Sequence, residues 1–233
     1  MKGTIYAVGV GPGDPELLTL KAIRTIENCP CIAVPHSDKE KSAAYKIAGR
    51  VCDLSGKPVL EVSMPMSKDP LLLAQAHKHG AQVIAEILDQ GTDVAFLTLG
   101  DPSIYATTSY IVRILEKRGY PSSMVSGVPS FAAAAARLGI SLGLGEEEIH
   151  ILPGTSSIEE ALRLSGTKII MKIGTRMEAW KDALQDYPGE LYVVENCGMP
   201  NEQIYRSLEE TDHKLSYFTI LVLTSRPLTK KVP

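Results

Sequence analysis

The opening stretch of the chain limits its fold more than any other. An apolar run, Ile5-Tyr6-Ala7-Val8, leads into Gly9-Val10-Gly11-Pro12-Gly13-Asp14, and a helical pattern opens at once with Pro15-Glu16-Leu17-Leu18. Strand, glycine turn and helix in that order begin a βαβ fold. Glycines at alternate positions let the backbone come close to a ligand. A dinucleotide fingerprint reads G-x-G-x-x-G, and its last glycine lets helix and strand pack closely. Here the spacing is G-x-G-x-G, and an acidic residue closes the turn. Asp14 as an N-cap presents negative charge, which suits a pyrophosphate poorly. It suits a ligand that carries positive charge, or one bound mostly through adenosyl and amino-acid parts. A glycine-rich turn with no ligand is the plainer alternative.

The alternation continues along the chain. Strands are expected at Thr4–Val10, Ile32–Val34, Val59–Val62, Val94–Thr98 and Met124–Val125, with helices over Pro15–Asn28, Ser42–Val51, Pro70–Gln90 and Thr107–Arg118. Gly80 is a weak point inside the long third helix. The strand runs are apolar throughout, as in strands covered on both faces, so the sheet is expected to be mostly parallel. Ser130–Leu138, with five consecutive alanines, reads as a further helix, and the glycine-rich Gly139–Gly145 as a linker. A second, smaller series follows. Its strands are expected at Ile149–Leu152, Lys168–Ile173, Glu190–Val194 and Thr219–Leu223, its helices over Ser157–Leu164, Arg176–Leu184 and Glu202–Leu208. The fold class is α/β, in two α/β domains spanning 1–127 and 128–233.

Composition closes off several classes. A net charge of −3 gives no electrostatic case for nucleic acid. No segment approaches 18 uninterrupted apolar residues, so no membrane span is expected. The start of the chain carries no secretory pattern. Cys29, Cys31, Cys52 and Cys197 lack zinc-knuckle spacing and read as reduced, buried thiols of a cytoplasmic protein. His77 and His79, two apart on a helix, share no face, and no protein-bound metal is expected. Trp180 and the tyrosines show no spacing suited to a stacking platform.

Two more stretches at strand ends carry glycine. Leu97-Thr98-Leu99-Gly100-Asp101-Pro102 follows a buried strand and precedes a helix, the edge at which open α/β sheets bind ligands. A carboxylate there suits an ammonium or ribose hydroxyls, although a plain turn explains the residues too. In Val125-Ser126-Gly127-Val128-Pro129-Ser130-Phe131, Ser130 is a candidate helix cap.

Together, G-x-G-P-G-D, L-G-D-P about ninety residues later, and S-G-V-P-S-F resemble the tetrapyrrole methylases, enzymes of cobalamin and sirohaem synthesis that use S-adenosyl-L-methionine. The resemblance covers the whole chain. Within that family it is narrowest towards enzymes that methylate C20 of precorrin-2 or cobalt-factor II. It rests there on Ser63–Asp69, on Val194-Glu195-Asn196-Cys197-Gly198-Met199, and on Ile32–Ser37 with Ser42–Ala44 where many relatives have an acidic-aromatic segment. The resemblance implies a cofactor cleft between two α/β domains, S-adenosyl-L-homocysteine as product, a tetrapyrrole substrate and a homodimer. Cobalt-loaded and metal-free substrates both fit, with a lean towards cobalt, which would arrive with the macrocycle.

It also implies residues. Pro12 matches a cleft-lining proline, and Gly100, Asp101 and Ile104 the loop around the methionine part. Ser130 and Phe131 match a pair after the third turn, and Met171 or Lys172 a residue beside adenine. Cys197 stands where relatives usually have glycine, so Gly198 is the alternative contact. Thr219, Ile220 and Leu221 add backbone contacts to adenine. Methylated C20 must lose its proton, and Asp14 is the candidate base beside its capping role. Lys39, Lys41, Arg50, Lys68 and Arg176 are candidates for the substrate carboxylates. The alternatives are a methylase acting at another ring carbon, an NAD-dependent α/β oxidoreductase, and a non-catalytic binding module.

Overall fold

In a computed structural model, the structure describes residues 1–36, 38–67, 69–211 and 214–224. The chain divides into two compact units, Met1–Pro129 and Ser130–Pro233.

The first unit is a parallel α/β sheet. Its strands are β1 (Ile5–Gly9), β2 (Cys31–Val34), β3 (Val59–Glu61), β4 (Val94–Thr98) and β5 (Ser122–Val125). They lie in the order β3-β2-β4-β1-β5, with every pairing parallel. Helices α1 (Leu20–Asn28), α2 (Ala43–Ala48), α3 (Pro70–Leu88) and α4 (Thr108–Lys117) connect them. The apolar strands divide their side chains between two cores. Ala95 and Leu97 of β4 pack with Ala22 and Ile26 of α1 and Ile47 of α2, whereas Val94 and Phe96 pack with Ile84 of α3 and Ile111 of α4. Full burial of Phe96 alone contributes about 2–3 kcal/mol. β1 sends its chain towards β2, and its neighbour β4 sends its chain the other way, towards β5. That reversal opens a crevice at the carboxyl ends of adjacent parallel strands.

Two local expectations change. Pro15–Asn28 is not one helix. Pro15–Leu17 is a single 3₁₀ turn, Leu18 is extended, and α1 starts afresh after Thr19. Thr19 Oγ1 accepts from Ala22 N–H as the new cap and donates to the Ser126 carbonyl at 3.1 Å, a bond the continuous helix would forgo. Gly80 is more than a propensity cost. A Cβ there would lie 2.5 Å from Val62 Cγ1 and 2.8 Å from Ile111 Cδ1, so glycine is what lets α3 pack this closely.

The second unit holds α5 (Ser130–Leu138), β6 (Ile149–Pro153), α6 (Ile158–Arg163), β7 (Thr167–Met171), α7 (Met177–Ala183), β8 (Glu190–Glu195), β9 (Gln203–Tyr205) and β10 (Thr219–Thr224). The sheet order is β6-β7-β10-β8-β9, in which only β6 and β7 pair in parallel. The parallel arrangement expected from the βαβ pattern therefore stops at the first unit. Its core gathers Ile170, Val193, Leu221 and Leu223 around the fully buried Trp180. The helix expected over Glu202–Leu208 is instead β9, because Ile204 and Tyr205 pair with Val194 and Val193 and Tyr205 joins the core. Gly139–Gly145, expected as a linker, lies inside this unit, between α5 and β6.

Candidate active site

The loops after β4, β1 and β5 leave one edge of the first sheet side by side, and their backbones touch. A Cβ on Gly9 would lie 2.5 Å from the Gly100 oxygen and 2.7 Å from the Gly127 nitrogen. A Cβ on Gly127 would collide with the Gly100 oxygen. Gly11 and Gly100 exchange hydrogen bonds, Gly11 N–H to Gly100 O at 3.3 Å and Gly100 N–H to Gly11 O at 2.7 Å. Gly100 has φ of 72°, and nothing lies within 4 Å of the position a Cβ would take. Bare, left-handed backbone thus faces open space at this edge.

Asp101 braces these loops. It is only 9% exposed. Its Oδ2 accepts from Gly127 N–H at 3.0 Å, and its Oδ1 accepts from Ser103 N–H at 2.8 Å and from the Ser103 hydroxyl. The carboxylate expected to meet a ligand directly is engaged in holding the β4 and β5 loops together. Ile104 N–H closes the turn onto the Asp101 carbonyl at 3.3 Å. Next to it, Tyr105 has φ of 48°, a strained setting of the kind found at binding sites. Pro12 is buried, and Asp14 is half-buried. Asp14 Oδ1 accepts from Glu16 N–H at 3.0 Å, so the carboxylate caps the 3₁₀ turn rather than a long helix.

In the second unit, Ser130 and Phe131 open α5, with Ser130 as its first residue and not the residue before it. Register gathers the remaining candidates at one edge of the second sheet. Ile220 pairs with Met171, and Thr219 with Glu195, so the ends of β7 and β8 meet the start of β10. Lys172 and Asn196 follow those ends with φ of 60° and 51°. Cys197 is buried and Gly198 half-buried. Sequence reasoning missed the side chains that hold this edge. Buried Glu195 accepts from Ser216 N–H at 2.5 Å and from the Tyr205 hydroxyl at 3.2 Å. Burial, with the Glu195 charge second, pushes the Tyr205 phenol above its usual range. Asn196 Oδ1 accepts from the Ser216 hydroxyl at 2.7 Å. The loop so held presents Tyr217 and Phe218, 36% and 42% exposed, edge to face at 5.4 Å, with Lys172 Nζ 5.6 Å from the Tyr217 ring. Sequence spacing alone gave no sign of this pair. The one available signal was an acid, Glu195, ending an apolar run.

The basic candidates fare unevenly. Arg176 donates to the Gly154 carbonyl at 2.7 Å and to Ser156 O at 3.4 Å, which makes it a loop brace. Lys41 pairs with Asp38 at 3.3 Å, and Lys39 lies 5.8 Å from the Tyr45 ring. Arg50 is exposed, and Lys68 lies outside the described residues. All four cysteines are buried. Burial above all pushes the Cys29 thiol up to about 12 and Cys52 to about 11, and it raises Cys31, so these thiols are poor nucleophiles. His77 stacks on Tyr110 at 4.8 Å, and burial lowers its pKa. Among the described residues, no three His, Cys, Asp or Glu side chains converge as a metal site would require. None of the described helices is long and apolar enough to cross a membrane.

Comparison with known proteins identifies the family of the chain. The family model described as "Tetrapyrrole (Corrin/Porphyrin) Methylases" matches residues 4–211. The "Probable cobalt-precorrin-2 C(20)-methyltransferase" of Methanocaldococcus jannaschii is 40% identical over 169 residues, 72% of this chain and 71% of that protein. The "Cobalt-precorrin-2 C(20)-methyltransferase" of Salmonella typhimurium is 31% identical over 236 residues, covering 95% of this chain and 97% of that one. Among solved structures, the uroporphyrin-III C-methyl transferase of Thermus thermophilus complexed with S-adenyl homocysteine superposes with a TM-score of 0.70. That match has 23% identity and covers 95% and 92% of the two chains. The chain belongs to the tetrapyrrole methylases.

Proposed function

We propose that the protein transfers the methyl group of S-adenosyl-L-methionine to C20 of a precorrin-2-type tetrapyrrole in cobalamin synthesis. The names of the Methanocaldococcus and Salmonella relatives support C20 and favour the cobalt-loaded substrate. The observation that carries the cofactor reading is the bare Gly100 backbone, set against Gly9, Gly11 and Gly127 at the edge of the first sheet. A side chain at Gly100 would fill the space a close-lying ligand needs. Bound S-adenosyl-L-methionine supplies an electrophilic methyl on a good leaving group.

The residues proposed to hold it are Pro12, Gly100, Asp101, Ile104, Ser130, Phe131, Met171, Lys172, Cys197, Gly198 and Ile220. Asp101 contributes by fixing the Gly127 amide and the Ser103 turn. With the leaving group already activated, the protein's work is alignment, and orientation alone lowers such barriers by several kcal/mol. Asp14 is the residue proposed to accept the C20 proton. It sits on a turn anchored by the Glu16 amide, so its carboxylate is held in place. A homodimer working in the cytoplasm completes the reading.

An NAD-dependent oxidoreductase finds no support in the first loop. A pyrophosphate needs free amides at a helix N-terminus. Here Gly11 N–H goes to Gly100 O, Glu16 N–H to Asp14 Oδ1 and Leu17 N–H to Asp14 O, and α1 starts only at Leu20. Thermal shift with the two ligands separates the readings. S-adenosyl-L-homocysteine is expected to raise the melting midpoint and NAD to leave it unchanged; the reverse would overturn the assignment.

A further inference from the structure

The turn after β8 is closed by a side chain to which the methyl-transfer reading gives no role. Met199 N–H donates to Asn196 O at 2.9 Å, and Glu202 N–H donates to Met199 O at 3.0 Å, so residues 196–202 fold back on themselves. The Glu202 carboxylate then closes the turn, its Oε2 accepting from Gly198 N–H at 2.5 Å. The same oxygen lies 3.4 Å from Arg137 Nε. Arg137 is in the last turn of α5, the helix that Ser130 and Phe131 begin. Bonds from an amide to a carboxylate are stronger than neutral ones, and a cation on the far side fixes the carboxylate's direction. One side chain therefore links α5 to the backbone of Gly198.

We propose that Glu202 is a positioning residue for methyl transfer. It holds the Cys197–Gly198 turn in its binding conformation and ties that turn to α5 through Arg137. It acts through the Gly198 amide and needs no contact of its own with the methyl donor. This rests on the reading that Cys197 and Gly198 touch the donor. No catalytic atom changes in its absence, so its loss should fall on donor binding and spare the chemical step.

Glu202→Ala, Glu202→Gln and Arg137→Met test it, with four readouts. These are the affinity for S-adenosyl-L-homocysteine, KM for the donor against kcat, amide exchange at residues 197–199, and the melting midpoint. Glu202→Ala is expected to weaken product binding and raise the donor KM about tenfold, as loss of a charge-assisted bond implies. Its kcat should stay within about twofold, the pattern of lost uniform binding. The Gly198 amide should exchange about tenfold faster even without ligand. Glu202→Gln keeps an acceptor oxygen and is expected to recover most of the affinity, with Arg137→Met between the two. Those two variants carry the test if Glu202→Ala fails to fold. Faster Gly198 exchange with unchanged KM and affinity would overturn the proposal. If product binding leaves exchange at 197–199 unaltered in the wild type, the donor-contact reading itself fails.

Discussion

Asp101→Ala and Asp101→Asn separate two roles for a carboxylate at the edge of the first sheet. A residue that binds ligand directly through its charge and one that braces loops predict different orders of damage. The brace makes three bonds, to Gly127 N–H and to the Ser103 amide and hydroxyl. Ser103 is exposed, so its groups turn to water at little cost. Gly127 is buried, and its amide would be orphaned, which costs about 1–3 kcal/mol. Asp101→Ala should therefore lose about 2–3 kcal/mol once the void is included, a drop of roughly 5–10 °C in melting midpoint. In Asp101→Asn the remaining oxygen can keep the Gly127 bond and leave the amide group towards Ser103. Its loss should be about 1 kcal/mol. Calorimetric binding of S-adenosyl-L-homocysteine should track stability, with Asn close to wild type and Ala at least about tenfold weaker. If Asp101→Asn abolishes binding while melting like wild type, the carboxylate charge contacts ligand directly and the bracing account is wrong.

Other consequences follow from the same geometry. Gly127→Ala drives a methyl into Gly100 and Gly9 backbone, and it should yield little soluble protein or lower the melting midpoint by more than Asp101→Ala does. Thr19→Ala removes the cap of α1 and should cost about 1 kcal/mol in urea unfolding, whereas a continuous Pro15–Asn28 helix would predict almost none. Lys168 is 3% exposed, and burial lowers its pKa, so its charge opposes folding below the folded-state pKa, and stability rises as pH climbs from there towards 10.5. Lys168→Met should then melt above wild type at pH 7, with the gap closing at high pH; a constant gap would refute the charge explanation. The thiols of Cys29, Cys31 and Cys52 should resist a disulfide reagent at pH 8 in the native protein and react after unfolding.

How much of this was legible in the sequence depended on the range of the interactions involved. The inner strands β2 and β4 were readable because both their faces are buried, which makes Val94–Leu97 an uninterrupted apolar run. α5 was readable because five alanines leave few options. What escaped was set by distant partners. Thr19 breaks the first helix for a carbonyl 107 positions away, and Asp101 holds an amide 26 positions on. β9 has three residues, flanked by Glu202 and Arg206, and its strand character comes from Val193 and Val194 across the sheet. Antiparallel order in the second sheet leaves no mark on the local pattern that β7, β8 and β10 share with parallel strands. For the candidate site, the glycines marked the first edge, whereas Glu195, Ser216 and Glu202 became visible only once the second sheet had brought them together.

The most direct measurement of the central claim is turnover under anaerobic conditions with methyl-labelled S-adenosyl-L-methionine. Precorrin-2 and cobalt-factor II would be offered side by side and the products examined by mass and NMR. The account predicts one added methyl, located at C20, with cobalt-factor II the better substrate. A methyl at any other ring carbon, or none on either substrate, would contradict it.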